Sequence, residues 1–435
     1  MLKSWFKFRI LIFMSFISKI LPGKKRLGLV MALDIGTEVV KALILKMDSE
    51  NKKGIIIGAG KVSQKVGNMQ SGVVSDISEV IGVARVAIDI AKKKAGVKNV
   101  KYAIVGVAGE LVKGTTTTVH YERAKSDMEI GLSELKNIIQ KVQQKAYERI
   151  QSQIAWETGQ SNIDIKLINA AISDVRIDGY RVNNPLGFQG HSVSISVFNA
   201  YAPTIHLGAI ETIVNELGIG LVSIAAEPYA VARSVNFEGD LNFNAIFIDI
   251  GGGTTDIAVV RNGGLEGTKM FALGGRAFTK RLVQELKIDF EKAEKLKIRY
   301  SLGKLNKIDS QKIDKILEDD CRIWLSGIEL ALSEFSQSDL LPIKILMCGG
   351  GSGLPGIRKA LATKNWLNKL AFVDSPTISF LRPQDVASID DKTGSLNSTQ
   401  DVTPMGLASL ILDLVNEEKL LTGILKRAMK KVEYK

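Results

Sequence analysis

The stretch FIDIGGGTTDIAVV, residues 247–260, decides the fold. Two aspartates, three glycines and two threonines sit between apolar β-forming runs, a composition that weakens a strand interior unless the turn holds something. Glycine lets backbone N–H groups approach an anion closely, and threonine adds a hydroxyl donor. An aspartate in such a turn makes sense beside phosphate only when a cation such as Mg²⁺ lies between the two.

A second copy of the design lies near the start of the chain. VMALDIGTEVVKALILK, residues 30–46, runs from an apolar strand through Asp34, Gly36 and Thr37 into a second apolar strand, the pattern of a β-hairpin. Its counterpart presents Asp249, Gly251, Gly252, Gly253, Thr254, Thr255 and Asp256. One such hairpin is ordinary turn chemistry. Two Asp-Ile-Gly hairpins, roughly two hundred residues apart, predict two similar halves that close on one phosphate chain from both sides. A third glycine-rich segment, IKILMCGGGSGLPGIRKAL (343–361), passes from an apolar strand through Gly349, Gly350, Gly351, Ser352 and Gly353 into a helix pattern opening near Pro355. A turn of this kind offers backbone donors to an anion or a flat ring. It is neither a Walker motif nor the dinucleotide fingerprint, lacking the Gly-Lys-Ser/Thr of the first and the downstream acid of the second.

Composition sets the wider frame. At 435 residues and 45% hydrophobic content the chain is long enough for two or more packed domains. Cys321 and Cys348 are too few for a disulfide framework and read as free thiols, and the three histidines form no zinc-ligand spacing. The net charge of +12 is concentrated at the start: residues 1–26 carry seven bases and no acid, which leaves +5 for the remainder and argues against a nucleic-acid partner. ILIFMSFISKIL (10–21) is too short to span a bilayer, which takes about 20 apolar residues. The preferred reading is a helix in the membrane interface, with Trp5, Phe6 and Phe13 buried, over a cleaved or spanning segment. At the other end, KLLTGILKRAMKKVEYK (419–435) sets Leu421, Ile424 and Leu425 on one helical stripe, with Lys426, Arg427, Lys430 and Lys431 off it. That pattern fits a core-facing helix or, with its cluster of bases, a membrane-surface helix.

The three glycine turns, in this order, resemble the actin-like ATPase superfamily, and within it the chain is similar to the FtsA family of bacterial division proteins, which tie FtsZ filaments to the membrane. The similarity is carried by DIGT (34–37), AEPYAVA (226–232), DIGGGTTDIAV (249–259), GG (274–275) followed by AEKLKIRYS (293–301), CGGGSGLPGI (348–357) and TPMGLASLIL (403–412). It implies an α/β actin-like fold of two ribonuclease H-like halves with a small inserted α+β domain. The expected division is an N-terminal extension (1–27), a first half (28–100 and 204–243), the insert (101–203), a second half (244–380) with a helical subdomain at about 276–335, a return to the first half (381–415) and a basic amphipathic C-terminal helix (416–435). Within the insert, a helix is expected from about Ser133 to Ile150 and strands around NNPLGFQG (183–190).

The resemblance further implies ATP and Mg²⁺ as ligands. Asp34 and Asp249 would hold the metal through water, and Gly36, Thr37, Gly251, Gly252, Gly253, Thr254 and Thr255 would cradle the phosphates. Glu294 and Lys297 would reach ribose and base, while Gly349, Gly350, Gly351 and Ser352 would close over the adenosine. Glu227 would stand near the γ-phosphate and, with Asp249, form the catalytic pair of a slow ATPase; Asp256 would alternatively brace its hairpin. Implied partners are the FtsZ C-terminal tail, met by bases such as Lys280 and Arg281 in the region 278–324, an anionic membrane on its cytoplasmic face, further copies of the chain in a filament, and other division proteins. Three features depart from the family: Val39 stands where FtsA usually has a base, the linker before the C-terminal helix is short, and the N-terminal extension is unusual. The later Lys41 is closer to PilM, so a PilM-like platform for type IV pilus assembly is the alternative, followed by a small-molecule kinase of the same superfamily.

Overall fold

The computed structural model describes residues 28–48, 53–160, 163–235, 242–336, 339–363 and 365–414. Two sheets organise them. The first has six strands in the order Gly220–Ala226, Tyr102–Val107, Leu29–Ile35, Val39–Asp48, Lys53–Ser63 and Ile389–Asp391. Leu29–Ile35 is buried along nearly its whole length, as expected for a strand covered on both faces, and it pairs parallel with Tyr102–Val107 and antiparallel with Val39–Asp48. Helix Ile77–Ala95 packs on this sheet, opened by the Asp76 carboxylate accepting from the Glu79 N–H and closed by Gly96 at φ 67°. The approach is so close that a Cβ at Gly60 would lie 1.9 Å from the Ala87 carbonyl oxygen.

The second sheet orders Thr377–Phe380, Lys344–Cys348, Ala245–Ile250, Thr255–Arg261 and Gly264–Phe271, and then continues through Lys113–Glu122, Ser192–Pro203, Ile165–Ile177 and Tyr180–Arg181. The last four strands come from the segment expected as an insert. They join the second half through Thr115 opposite Gly267 and Gly114 opposite Thr268. Gly114 is required there, because a Cβ would meet the Thr268 hydroxyl at 2.3 Å and the Phe198 ring at 2.7 Å.

Helix Leu132–Thr158 lies over these strands and runs a further eight residues past the expected end at Ile150. Its buried stripe of Ile138, Val142, Ala146, Ile150 and Ile154 continues the helical period until Gly159 takes φ 69°. Residues 183–190 form no strand; Gly187 at φ 83°, the Leu186 N–H bonded to the Asn184 side chain and the Phe188–Ile130 backbone bond make them a folded loop. The threonine run at residues 115–118 lies on the strand Lys113–Glu122 in mid-sheet, with Thr117 only 4% exposed.

Three helices, Gly275–Leu286, Phe290–Ser301 and Lys307–Ser336, cover the second half around Phe278, Trp324 and Ile328. The chain then returns to the first half: Ile389–Asp391 pairs parallel with Lys53–Ser63, and helical residues 402–414 are buried beside helix Glu227–Ser234. A Cβ at Gly406 would stand 2.8 Å from the Ala230 carbonyl. The expected extension (1–27) and C-terminal helix (416–435), with Trp5, Phe6, Phe13, Leu421, Ile424, Leu425, Lys426, Arg427, Lys430 and Lys431, lie outside the described residues.

Candidate functional site: a cleft between two phosphate-type turns

The two hairpins meet across one cleft of about 410 Å³. The two turns abut so closely that Gly252 and Gly253 have no room for a side chain. A Cβ at Gly252 would lie 2.4 Å from Glu38 Cγ, and one at Gly253 would lie 2.6 Å from Thr37 Oγ1. The first turn is pinned from behind by the Gly72 N–H donating to Thr37 Oγ1 at 3.1 Å, and the second is closed by the Gly251 N–H donating to the Thr254 carbonyl at 2.9 Å. The third glycine turn packs on the second: Gly349, at φ 82°, stands where a Cβ would be 2.1 Å from Asp249 Oδ1.

The hairpins are related in register. Asp34 is the cross-strand partner of Lys41, and Asp249 holds the corresponding place opposite Asp256. In the first hairpin this gives an ion pair of 2.8 Å. In the second it sets two carboxyls face to face, an unfavourable pair unless something relieves it. Burial, and then the Asp249 charge, push the Asp256 carboxyl well above the usual carboxylate range, and its Oδ1 has no hydrogen-bond partner among the described residues. Burial likewise raises Asp249, against a hydrogen bond from the Thr403 hydroxyl and the Lys41 charge. Glu227, the first residue of its helix, is pushed well up by burial and by Asp34, Asp256 and Asp249. Lys41 stays above its ordinary value: burial lowers it, and the Asp34 charge and hydrogen bond outweigh that effect.

Four buried carboxyls around one ammonium, with an oxygen unpartnered among the described residues and three glycine turns lining the same cleft, fit a ligand that brings both a cation and an anion. Among the described residues no three His, Cys, Asp or Glu side chains converge as a direct metal-ligand set, so a cation here would be held largely through water and ligand oxygens.

Most of the residues singled out in the sequence line this cleft: Asp34, Gly36, Thr37, Glu227, Asp249, Gly251, Gly252, Gly253, Thr254, Glu294, Lys297, Gly349, Gly350 and Gly351. Two do not. Thr255 faces the second-half core, its hydroxyl donating to the Leu273 carbonyl at 2.6 Å and accepting from the Trp324 indole at 3.0 Å. Side chains alternate along a strand, so Thr254 and Asp256 face the cleft and Thr255 faces away. Ser352 is fully buried and braces its turn, its hydroxyl donating to the Gly349 carbonyl at 2.7 Å. Lys297 lines the wall with its ammonium enclosed by the Gly275 carbonyl (2.9 Å), Thr279 Oγ1 (2.8 Å) and Glu294 (2.7 Å), while the Glu294 side chain is more open.

The cleft also contains residues that sequence reasoning passed over. Lys41 was legible only as a lysine out of its usual place. Glu38 and Gln400 carry no motif; Gly275 and Thr403 belong to the segments GG (274–275) and TPMGLASLIL (403–412) but were given no site role, and helical residues 402–414 bring Thr403 in from the far end of the chain. On the helical subdomain, Lys280 is exposed, Arg281 is paired with Asp320 at 2.8 and 3.1 Å, and Phe278 and Trp324 are core residues.

Two halves, each with a phosphate-type hairpin, enclosing one cleft define the actin-like ATPase class of fold. The structure is similar to a chain of the solved PilM-PilN type IV pilus biogenesis complex, with a TM-score of 0.62 and 16% identity over 89% of this chain and 99% of that one. The family model described as cell division protein FtsA matches residues 246–390, and that of MreB/Mbl protein matches residues 188–299. Among curated relatives, the cell division protein FtsA of Pseudomonas aeruginosa is 25% identical over 348 residues, 75% of this chain and 79% of its own length. That of Agrobacterium fabrum is 26% identical over 367 residues, 77% of this chain and 79% of its own. The fold is that of the actin-like ATPases, and in sequence the chain is similar to cell division protein FtsA.

Proposed function

We propose that this chain is an ATP- and Mg²⁺-binding division scaffold that tethers FtsZ filaments to the cytoplasmic face of the membrane. The observation that carries the nucleotide part is the meeting of two Asp-Ile-Gly turns across one cleft whose carboxyls outnumber its cations. The backbone of Gly36, Thr37, Gly251, Gly252, Gly253 and Thr254 would take the phosphates, Asp34 and Asp249 would orient water around the metal, and Glu294 with the turn at Gly349, Gly350 and Gly351 would flank the nucleoside. Bound Mg²⁺ supplies positive charge to the triphosphate. The protein's own part is to hold the turns, exclude water beneath them and orient Glu227. Binding to the closed arrangement would favour it over an open one by the difference in affinity between the two.

The division role is supported by the relatives, which are named cell division protein FtsA. For the membrane, no helix among the described residues is long and apolar enough to cross a bilayer, and the proposed attachment rests on the basic apolar sequences of residues 1–27 and 416–435. The closed form would present surfaces for further copies of the chain, and exposed bases such as Lys280 would meet the acidic FtsZ tail. A pilus platform is the second reading, favoured by the position of Lys41 and by a shared fold. Sedimentation with anionic vesicles, ATP, Mg²⁺ and FtsZ separates them. FtsZ pelleting only when this protein and lipid are both present is the expected result; FtsZ left in the supernatant while the protein pellets with lipid overturns the tether.

A further inference from the structure

We propose that Arg276 is the positioning residue that holds both phosphate turns in a single closed arrangement, an inference that rests on the nucleotide reading and gives it a gate. Arg276 follows Gly274 and Gly275 at the start of helix Gly275–Leu286. Its backbone N–H donates to the Gly252 carbonyl at 2.8 Å, inside the second-half turn. Its guanidinium reaches the other way across the cleft. Nη2 donates to the Thr37 carbonyl at 3.0 Å, Nη1 to the Met69 carbonyl at 2.9 Å, and Nε to the Glu38 carboxylate. All three acceptors belong to the first half. One residue therefore ties the backbone of one turn to the backbone of the other.

The geometry suits arginine specifically. Three acceptors are met by the fixed fork of one planar group, which a lysine's single ammonium cannot reproduce. The side chain is only 11% exposed, so these bonds form where water competes weakly. Close packing reinforces the link, because Gly252 and Gly253 leave no space between the second turn and Glu38 and Thr37. With the Thr37 carbonyl held by Arg276 and its hydroxyl held by the Gly72 N–H, the first turn is fixed from both sides. Separating the halves at the base of the cleft requires all three guanidinium bonds to break together. Escape of a bound nucleotide is then limited by Arg276, whereas entry, which starts from the open form, is not.

The test compares the full-length protein with R276Q, R276K, E38Q and the double variant R276Q/E38Q, using a fluorescent ATP analogue with Mg²⁺ in stopped flow and thermal melts to confirm folding. The expected result is dissociation about tenfold faster in R276Q, with association within about twofold of wild type, as for loss of a charge-assisted bond network. R276K should recover only part of the difference, and the double variant should dissociate no faster than R276Q. Unchanged dissociation in R276Q, full recovery in R276K, or additive effects in the double variant would overturn the proposal. If the wild-type protein binds no nucleotide, the reading of the cleft fails on its own, and hydrogen exchange decides the latch. Faster exchange at the Thr37–Val39 and Met69–Gln70 amides in R276Q then supports it, and equal exchange overturns it.

Discussion

Replacing Lys41 with methionine in the presence of a chelator, so that no divalent cation takes the ammonium's place, is expected to destabilise the fold by about 3–5 kcal/mol, the range for removing one partner of a buried pair. The structure gives three reasons for a loss of that size. Lys41 and Asp34 are directly opposed across the hairpin at 2.8 Å, and their side chains are 12% and 4% exposed. The ammonium also offsets Asp249 and Glu227, so its removal takes a compensating charge from several buried carboxyls at once. Methionine keeps the unbranched stem, which keeps any cavity contribution small. The double variant K41M/D34N removes the stranded charge along with its partner and should regain more than half of the loss. Urea unfolding followed by far-ultraviolet circular dichroism reads both effects. A K41M protein within about 1 kcal/mol of wild type, the value of a solvent-exposed pair, would refute the reasoning, as would a double variant no more stable than K41M.

Gly349→Ala adds a Cβ 2.1 Å from Asp249 Oδ1 at φ 82°, so a loss of about 2–4 kcal/mol in unfolding free energy is expected, and a change under about 0.5 kcal/mol would show that the turn is not constrained as described. Burial lowers His206 below its ordinary value, so its contribution to stability is present above the unfolded value near 6.5 and is lost as pH falls through the depressed folded value. The urea midpoint of the wild type should therefore drop between pH 7 and 5 more steeply than that of His206→Gln, and parallel curves would contradict this. Both cysteines are buried, and burial with Asp320 and Asp314 pushes the Cys321 thiol up to about 12, so Ellman's reagent should react with neither thiol in the native protein and with both after unfolding. A fast-reacting thiol in the native state would contradict the burial.

The turns were legible because their chemistry is local. Asp34, Gly36 and Thr37, and Asp249 through Thr254, announce an anion-facing hairpin within a few residues of sequence. Strand alternation would also have assigned Thr255 to the core, had the strand start been fixed one residue more closely. The end of helix Leu132–Thr158 and the loop at 183–190 were missed for related reasons: one depended on a buried stripe continuing to Ile154, the other on a glycine-borne turn that reads like a strand boundary. Long-range pieces left no local signal. Nothing near Arg276 shows that its side chain crosses to Glu38, 238 residues earlier, and nothing near Thr403 shows that it donates to Asp249. The continuity of the second sheet into Lys113–Glu122 rests on two residue pairs that only the assembled fold brings together.

The most direct test of the central claim is calorimetric titration of Mg-ATP into the full-length protein, beside a Gly253→Val variant whose added side chain would fill the 2.6 Å approach to Thr37 Oγ1. The account predicts one saturable site in the wild type that is lost or weakened at least tenfold in the variant while the fold remains intact. No binding to the wild type at millimolar Mg-ATP, or equal binding to the two proteins, would contradict it.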